Sequence, residues 1–191
     1  SLLLSLFLGL SASAEQEIRL DLEENGGLFL PEGFEAEALV NRLDGQVRHI
    51  AVNDSGDVYV KLREAHKDYG NAVLRDTDGD GRSDDIKYFG KYPIYGRYGT
   101  AMRIHKGYLY FSSQKTVYRQ KLRPGEMVPE SELEEIVIDP NEPPAREHVG
   151  KPIAFDNEGH LFVPFGAPSN ACQDPKITPG QPGVDPCHQL D

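Results

Sequence analysis

Three stretches of this sequence repeat one design at an interval near fifty residues. Residues 50–60 (IAVNDSGDVYV), 102–111 (MRIHKGYLYF) and 153–163 (IAFDNEGHLFV) each read as two short runs around a glycine turn. Period-two burial on both sides of such a turn is the pattern of a β-hairpin. The turn glycines, Gly56, Gly107 and Gly159, stand 51 and 52 residues apart. After each glycine an apolar residue, an aromatic one and a second apolar one occupy the second, third and fourth positions. An outer pair of strands is expected in each of the first two units: residues 72–75 with 86–89, and residues 116–119 with 135–138. Four strands per unit at this period describe a β-propeller blade. The expected fold is all-β, a propeller of four-stranded antiparallel blades. About two and a half blades are present, and closure needs at least about four. The sequence therefore reads as an incomplete portion of a longer propeller.

Composition supports this class and removes others. Fourteen Pro, nineteen Gly and nine Tyr among 191 residues, with few long helical patterns, favour strands and turns. The net charge of -11 argues against nucleic acid as a partner, because little in so acidic a chain would release phosphate counterions. The acidic run at 130–135 is a solvated face.

The first residues, SLLLSLFLGLSASAEQ, carry a short apolar run and an Ala12-Ser13-Ala14 cleavage pattern. Residues 1–14 are expected to be the remnant of a signal peptide, the alternative being a buried strand or an uncleaved anchor. The run is too short for a membrane span. Residues 15–29 form a polar lead, and the propeller portion is expected over 30–191, beginning with a strand at 35–40. Export places the mature chain in the periplasm or outside the cell. There Cys172 and Cys187 are expected to form a disulfide, with free thiols or metal ligation as alternatives. No CxxCH pattern for a covalent c-type haem is present.

The sharpest local motif is residues 75–85, RDTDGDGRSDD. Asp76, Asp78 and Asp80 fall at positions one, three and five of a calcium loop, Gly81 at six and Asp84 at nine. Position twelve is Lys87 instead of a bidentate Glu, and the flanks read as strands, so a full EF-hand is rejected. Either Asp76, Asp78, Asp80 and Asp84 hold a Ca2+ ion at the outer edge of a blade, or this is a solvated Asx- and Gly-rich turn.

One imidazole, His148, stands beside Glu147 just before the third hairpin. A His at a strand entry next to a carboxylate can take a proton from a bound hydroxyl. The bland reading is a surface pair. The remaining histidines, His49, His66, His105, His160 and His188, share no ligand spacing and read as surface or turn residues. Tyr92, Tyr95, Arg97 and Tyr98 form an aromatic cluster that suits packing between blades better than a sugar-stacking rim.

Three segments together resemble the soluble quinoprotein glucose/sorbosone dehydrogenase family: LPEGF at 30–34, LRDTDGDG at 74–81, and EHVG at 147–150 with IAF, GHLFV and Gly166. The resemblance covers residues 30–170. It implies a six-bladed propeller that uses pyrroloquinoline quinone (PQQ) and Ca2+ to oxidise an aldose or related sugar. His148 is then the general base, with Glu147 beside it where the family often has Asp. The electron acceptor is a cytochrome c or a quinone. The family's cofactor-gripping cations and quinone-bound calcium come from later blades, so this chain alone is not expected to hold PQQ. Gly166, Ala167, Ser169 and Asn170 are placed to line the central pocket by position. Two rival classes share the architecture, a lactone-hydrolysing propeller and a non-catalytic, calcium-stabilised binding module, and fold alone does not decide among them.

Overall fold

The computed structural model describes residues 25–93, 100–140, 148–166, 172–173 and 180–187. The expected signal segment at 1–14 lies outside the described residues. Two units are distinguished, 1–38 and 39–191. The described part of the first holds a 3-10 turn, Asn25–Gly27, and a turn closed by Phe34 N donating to Pro31 O at 3.1 Å. Residues 35–40 form no strand, contrary to expectation. Leu39 accepts a hydrogen bond from Ser83 N, and Leu39 and Val40 are used as side-on cover for a sheet face, not as ladder partners.

Ten strands occur among the described residues, and no α-helix. No described helix is long and apolar enough to cross a membrane. The first sheet is an antiparallel meander of β1 (Gln46–Val52), β2 (Val58–His66), β3 (Tyr69–Arg75) and β4 (Asp85–Phe89). The second repeats it with β5 (Met102–His105), β6 (Tyr108–Ser112), β7 (Thr116–Lys121) and β8 (Glu134–Ile138). A third hairpin pairs β9 (Ala154–Phe155) with β10 (Leu161–Phe162). The expected four-stranded blades and both outer strand pairs are present.

Register explains why the sheets stack. Tyr59 lies opposite Ala51 and Val73, so these side chains share one face; Val60, opposite Ile50 and Ala72, points to the other. Tyr59 and Val73 pack with Met102, Leu109, Phe111 and Tyr118 of the second sheet. Val60, Leu62, Ala72 and Leu74 form a separate core on the opposite side, covered by Leu39, Val40 and Leu43. In the second sheet Tyr110 and Val117 turn away from that first interface and meet Ala101, Ile153, Phe155 and Leu161. The second sheet is thus buried on both faces, between the first sheet and the third hairpin, as a blade within a propeller must be. Tyr92 sits in the interface of the first two sheets, its ring 5.2 Å from Phe111 and 4.9 Å from Tyr118. Its use is packing; Tyr95, Arg97 and Tyr98 lie outside the described residues.

The first hairpin turn is fastened by charge. Asn53 Oδ1 accepts from Ser55 N and Asp57 N, and Gly56 takes φ 87° where an L side chain is disfavoured. Buried Asp57 then accepts the fork of Arg75 at 2.6 and 2.8 Å. That guanidinium holds the Asp57 carboxyl below the ordinary carboxylate value. Cys172 and Cys187 form the expected disulfide, Cα to Cα 5.7 Å.

Candidate functional site

His148 lies just before β9, in the described residues 148–153, which form no strand. Its neighbour Glu147 lies outside the described residues. His148 is exposed, while Val149 after it is 6% exposed and anchors the segment. Gly150 rests on Thr100; a Cβ there would stand 3.3 Å from the Thr100 methyl. Lys151 N donates to Thr100 Oγ1 at 2.7 Å. Gly166 abuts His148, and a Cβ at that position would overlap the His148 Cβ and carbonyl. Only glycine permits this approach. Gly166, which sequence position alone placed near the pocket, is therefore brought against the imidazole-bearing residue. Ala167, Ser169 and Asn170 are outside the described residues.

Sequence reasoning missed Lys151 and Asp139. Both side chains are nearly fully buried, and Lys151 Nζ lies 3.0 Å from Asp139 Oδ2. It also donates to Gln114 O at 2.7 Å and stands 5.2 Å from the Phe165 ring centre. The pattern offered no signal, because a Lys two residues before an alternating strand reads as solvent-facing. This cation is fully engaged, so it is no free partner for a carboxylated cofactor. The described residues around His148 provide a proton acceptor, but they do not assemble the cationic cradle that the carboxylates of PQQ require.

In the acidic turn, ligand atoms of Asp76, Asp78 and Asp84 lie within 4.8 Å of one another. Asp80 stands outside that group; its Oδ1 accepts from Arg82 N at 2.8 Å. Asp76 accepts from Gly79 N on one oxygen and Gly81 N on the other, at 2.7 and 2.9 Å. Asp84 Oδ2 accepts from Thr77 N and Oγ1 at 2.8 and 2.7 Å. These donors hold both carboxyls below their ordinary value, the Gly81 amide leading for Asp76 and the Thr77 amide for Asp84. Asp76 takes one of these bonds on each oxygen and Asp84 Oδ1 takes none of them, so lone pairs remain and the donor set fits a hard oxygen-seeking cation as well as a self-fastened turn. Lys87, at the twelfth position, pairs with Asp85 at 3.0 Å.

A second grouping was not anticipated: Asp156, Glu158 and His160 at the third hairpin turn. Asp156 Oδ1 accepts from the amides of Glu158, Gly159 and His160, while Oδ2 meets His160 Nδ1 at 2.7 Å. The alternate spacing of the three residues was the available signal. The contacts are those of a turn closing on itself. His105, taken as a surface or turn residue, is half-buried and stacks on Phe155 at 4.1 Å between ring centres.

No family model matches the chain, and no curated protein matches it in sequence. Solved structures do match in fold. The holo form of the PQQ domain of pyranose dehydrogenase from Coprinopsis cinerea is similar over 75% of this chain and 33% of its own, at 15% identity and a TM-score of 0.60. A Trichoderma reesei carbohydrate-active enzyme of family AA12 is similar in its iodide structure over 70% of this chain and 33% of its own, at 16% identity and a TM-score of 0.55. Its calcium structure gives the same identity and TM-score, over 32% of that chain. This chain thus spans about a third of the length of the proteins it matches, and shares with them an all-β, propeller-type fold.

Proposed function

We propose that this chain is the base-bearing portion of a PQQ-dependent dehydrogenase that oxidises an aldose or related sugar, with His148 as the general base. The observation that carries the reading is the fold shared with the PQQ domain of pyranose dehydrogenase, a domain of a sugar-oxidising protein by its name. It is supported by the exposed His148, whose Cβ and carbonyl Gly166 abuts, on a segment whose main chain is tied to Thr100. His148 accepts the proton of the sugar hydroxyl, and Glu147 orients the imidazole or the substrate. PQQ, when bound, supplies the two-electron acceptor; its grip lies with residues other than those described around His148. A cytochrome c or a quinone takes the electrons onward. The disulfide supports a periplasmic or secreted location.

Reconstituting the full-length protein with PQQ and Ca2+ and screening sugars with an artificial dye tests the reading. Dye reduction with at least one aldose is the expected result. No reduction with any sugar returns the chain to a non-catalytic binding propeller.

The same reading assigns Asp76, Asp78 and Asp84 to a structural Ca2+ at the blade's outer edge, with Asp80 beside it. Calorimetric titration of the chelated protein is expected to give one weak site, with Kd on the order of 10⁻⁴ to 10⁻³ M as in extracellular calcium modules. Asp76→Ala removes that heat. A wild-type titration without heat makes the segment an ordinary Asx turn.

A further inference from the structure

The segment carrying His148 has no ladder to hold it, since residues 148–153 form no strand. A general base held loosely is a poor one, because displacement of about 1 Å can cost on the order of 10²-fold in rate. The restraint comes from a residue three positions on. The Lys151 ammonium joins the base segment to three other places at once: the turn after β6 through Gln114 O at 2.7 Å, the end of β8 through Asp139 at 3.0 Å, and Phe165 at 5.2 Å, the residue before Gly166. The main chain at the same residue is tied to Thr100 Oγ1 at 2.7 Å.

A buried ion pair is weak evidence for stability, because apolar residues of similar volume often replace one at no loss or with a gain. What an apolar residue lacks is direction: it fills the space without selecting one carbonyl and one carboxylate. The ammonium also lies against Phe165, and the next residue, Gly166, abuts the Cβ and carbonyl of His148.

We propose that Lys151, with its buried partner Asp139, is a positioning residue that fixes the main chain carrying His148. The inference rests on the reading of His148 as the base, but its test has an arm that does not. In the full-length protein, Lys151→Met is compared with Lys151→Met/Asp139→Asn and Thr100→Val. Amide hydrogen exchange is measured without cofactor, thermal unfolding alongside it, and kcat and KM in the loaded enzyme.

Lys151→Met is expected to speed exchange at 149–155 by about tenfold or more while residues 58–75 keep their protection. It is expected to lower kcat by about 10²-fold with KM within about threefold. The double variant relieves the unpaired buried carboxylate, so its Tm returns towards wild type while kcat and local protection do not. Unchanged exchange at 149–155, or a kcat that recovers in step with Tm, overturns the proposal. Should Lys151→Met fail to fold, Thr100→Val gives the milder form, exchange rising about threefold at the same residues; no change there also overturns it. If the loaded wild type oxidises no sugar, the functional reading falls, and the exchange data alone decide whether the clasp exists.

Discussion

Replacing His148 by Asn in the loaded full-length protein is expected to lower kcat by about 10²- to 10⁴-fold, the usual contribution of a positioned general base. KM is expected to change little, because proton transfer is felt in the transition state and not on substrate binding. Thermal stability is expected to stay within about 0.5 kcal/mol, since the ring is exposed and the buried anchors are Val149 and Lys151 beside it. Steady-state kinetics and a melting curve on the same preparation check this. Gly166→Ala makes a useful companion. It keeps the imidazole but drives a methyl into the His148 Cβ and carbonyl, so kcat falls with the side chain still present. A binding propeller would show neither loss: ligand affinity would survive both substitutions. Full turnover in His148→Asn would remove the imidazole from the chemistry.

The blades were legible because hairpin spacing is a local property repeated along the chain. Gly56, Gly107 and Gly159 mark turns, and the apolar residues around them pair as their alternation predicts. The third ladder is shorter than its pattern, two residues per strand, because Ile153 contributes by burial against Ala101, Tyr110 and Val117 and not by pairing. Leu39 and Val40, at the end of the strand expected at 35–40, cover a sheet face instead of pairing in a ladder. The site was legible only in part. His148 was marked by its neighbours and by resemblance; Lys151, Asp139 and Thr100 were not, because they meet across 12 to 51 positions of chain. A further error lies in the period-two rule itself. It assumes a sheet with one wet face, so a Lys in such a strand is assigned to solvent. A blade packed on both faces has no wet face along its middle strands. Lys61, in β2, is 1% exposed.

Lys61 is expected to make the protein more stable as pH rises from about 7 towards 10, the reverse of the habitual expectation for a lysine. Its Nζ donates to Leu62 O and Gly70 O at 2.8 and 3.0 Å and lies 5.3 Å from the Tyr92 ring centre. Those carbonyls stand where the β2–β3 register breaks, between Lys61 and His66, which is why they accept from a side chain. Burial alone pushes the ammonium down from 10.5 to about 7. Between those values the open chain still binds the proton that the fold has shed, so each step up in pH favours the fold. Below about 7 both states carry the proton, and the fold bears the full cost of the buried charge. The gain between pH 7 and 9 is about 2–3 kcal/mol if burial acts fully.

Neighbouring groups bound the window. His49, opposite Lys61 on β1, is pushed below 6.5, chiefly by burial, so its own contribution ends near pH 6.5. Buried Tyr59 is pushed up to about 12 and Tyr92 well above 10.0, so above about pH 10 the open chain sheds phenol protons that the fold retains, and stability falls again. Lys61→Met leaves all three in place and removes only the ammonium. The variant loses two hydrogen bonds, each worth about 1 kcal/mol, but also the cost of the charge. Its stability curve is therefore expected to lie at or above wild type at pH 6 and below it at pH 9. Denaturant midpoints at the two pH values decide the matter: curves that run parallel from pH 6 to 9 would mean that Lys61 keeps an ordinary ammonium inside the blade.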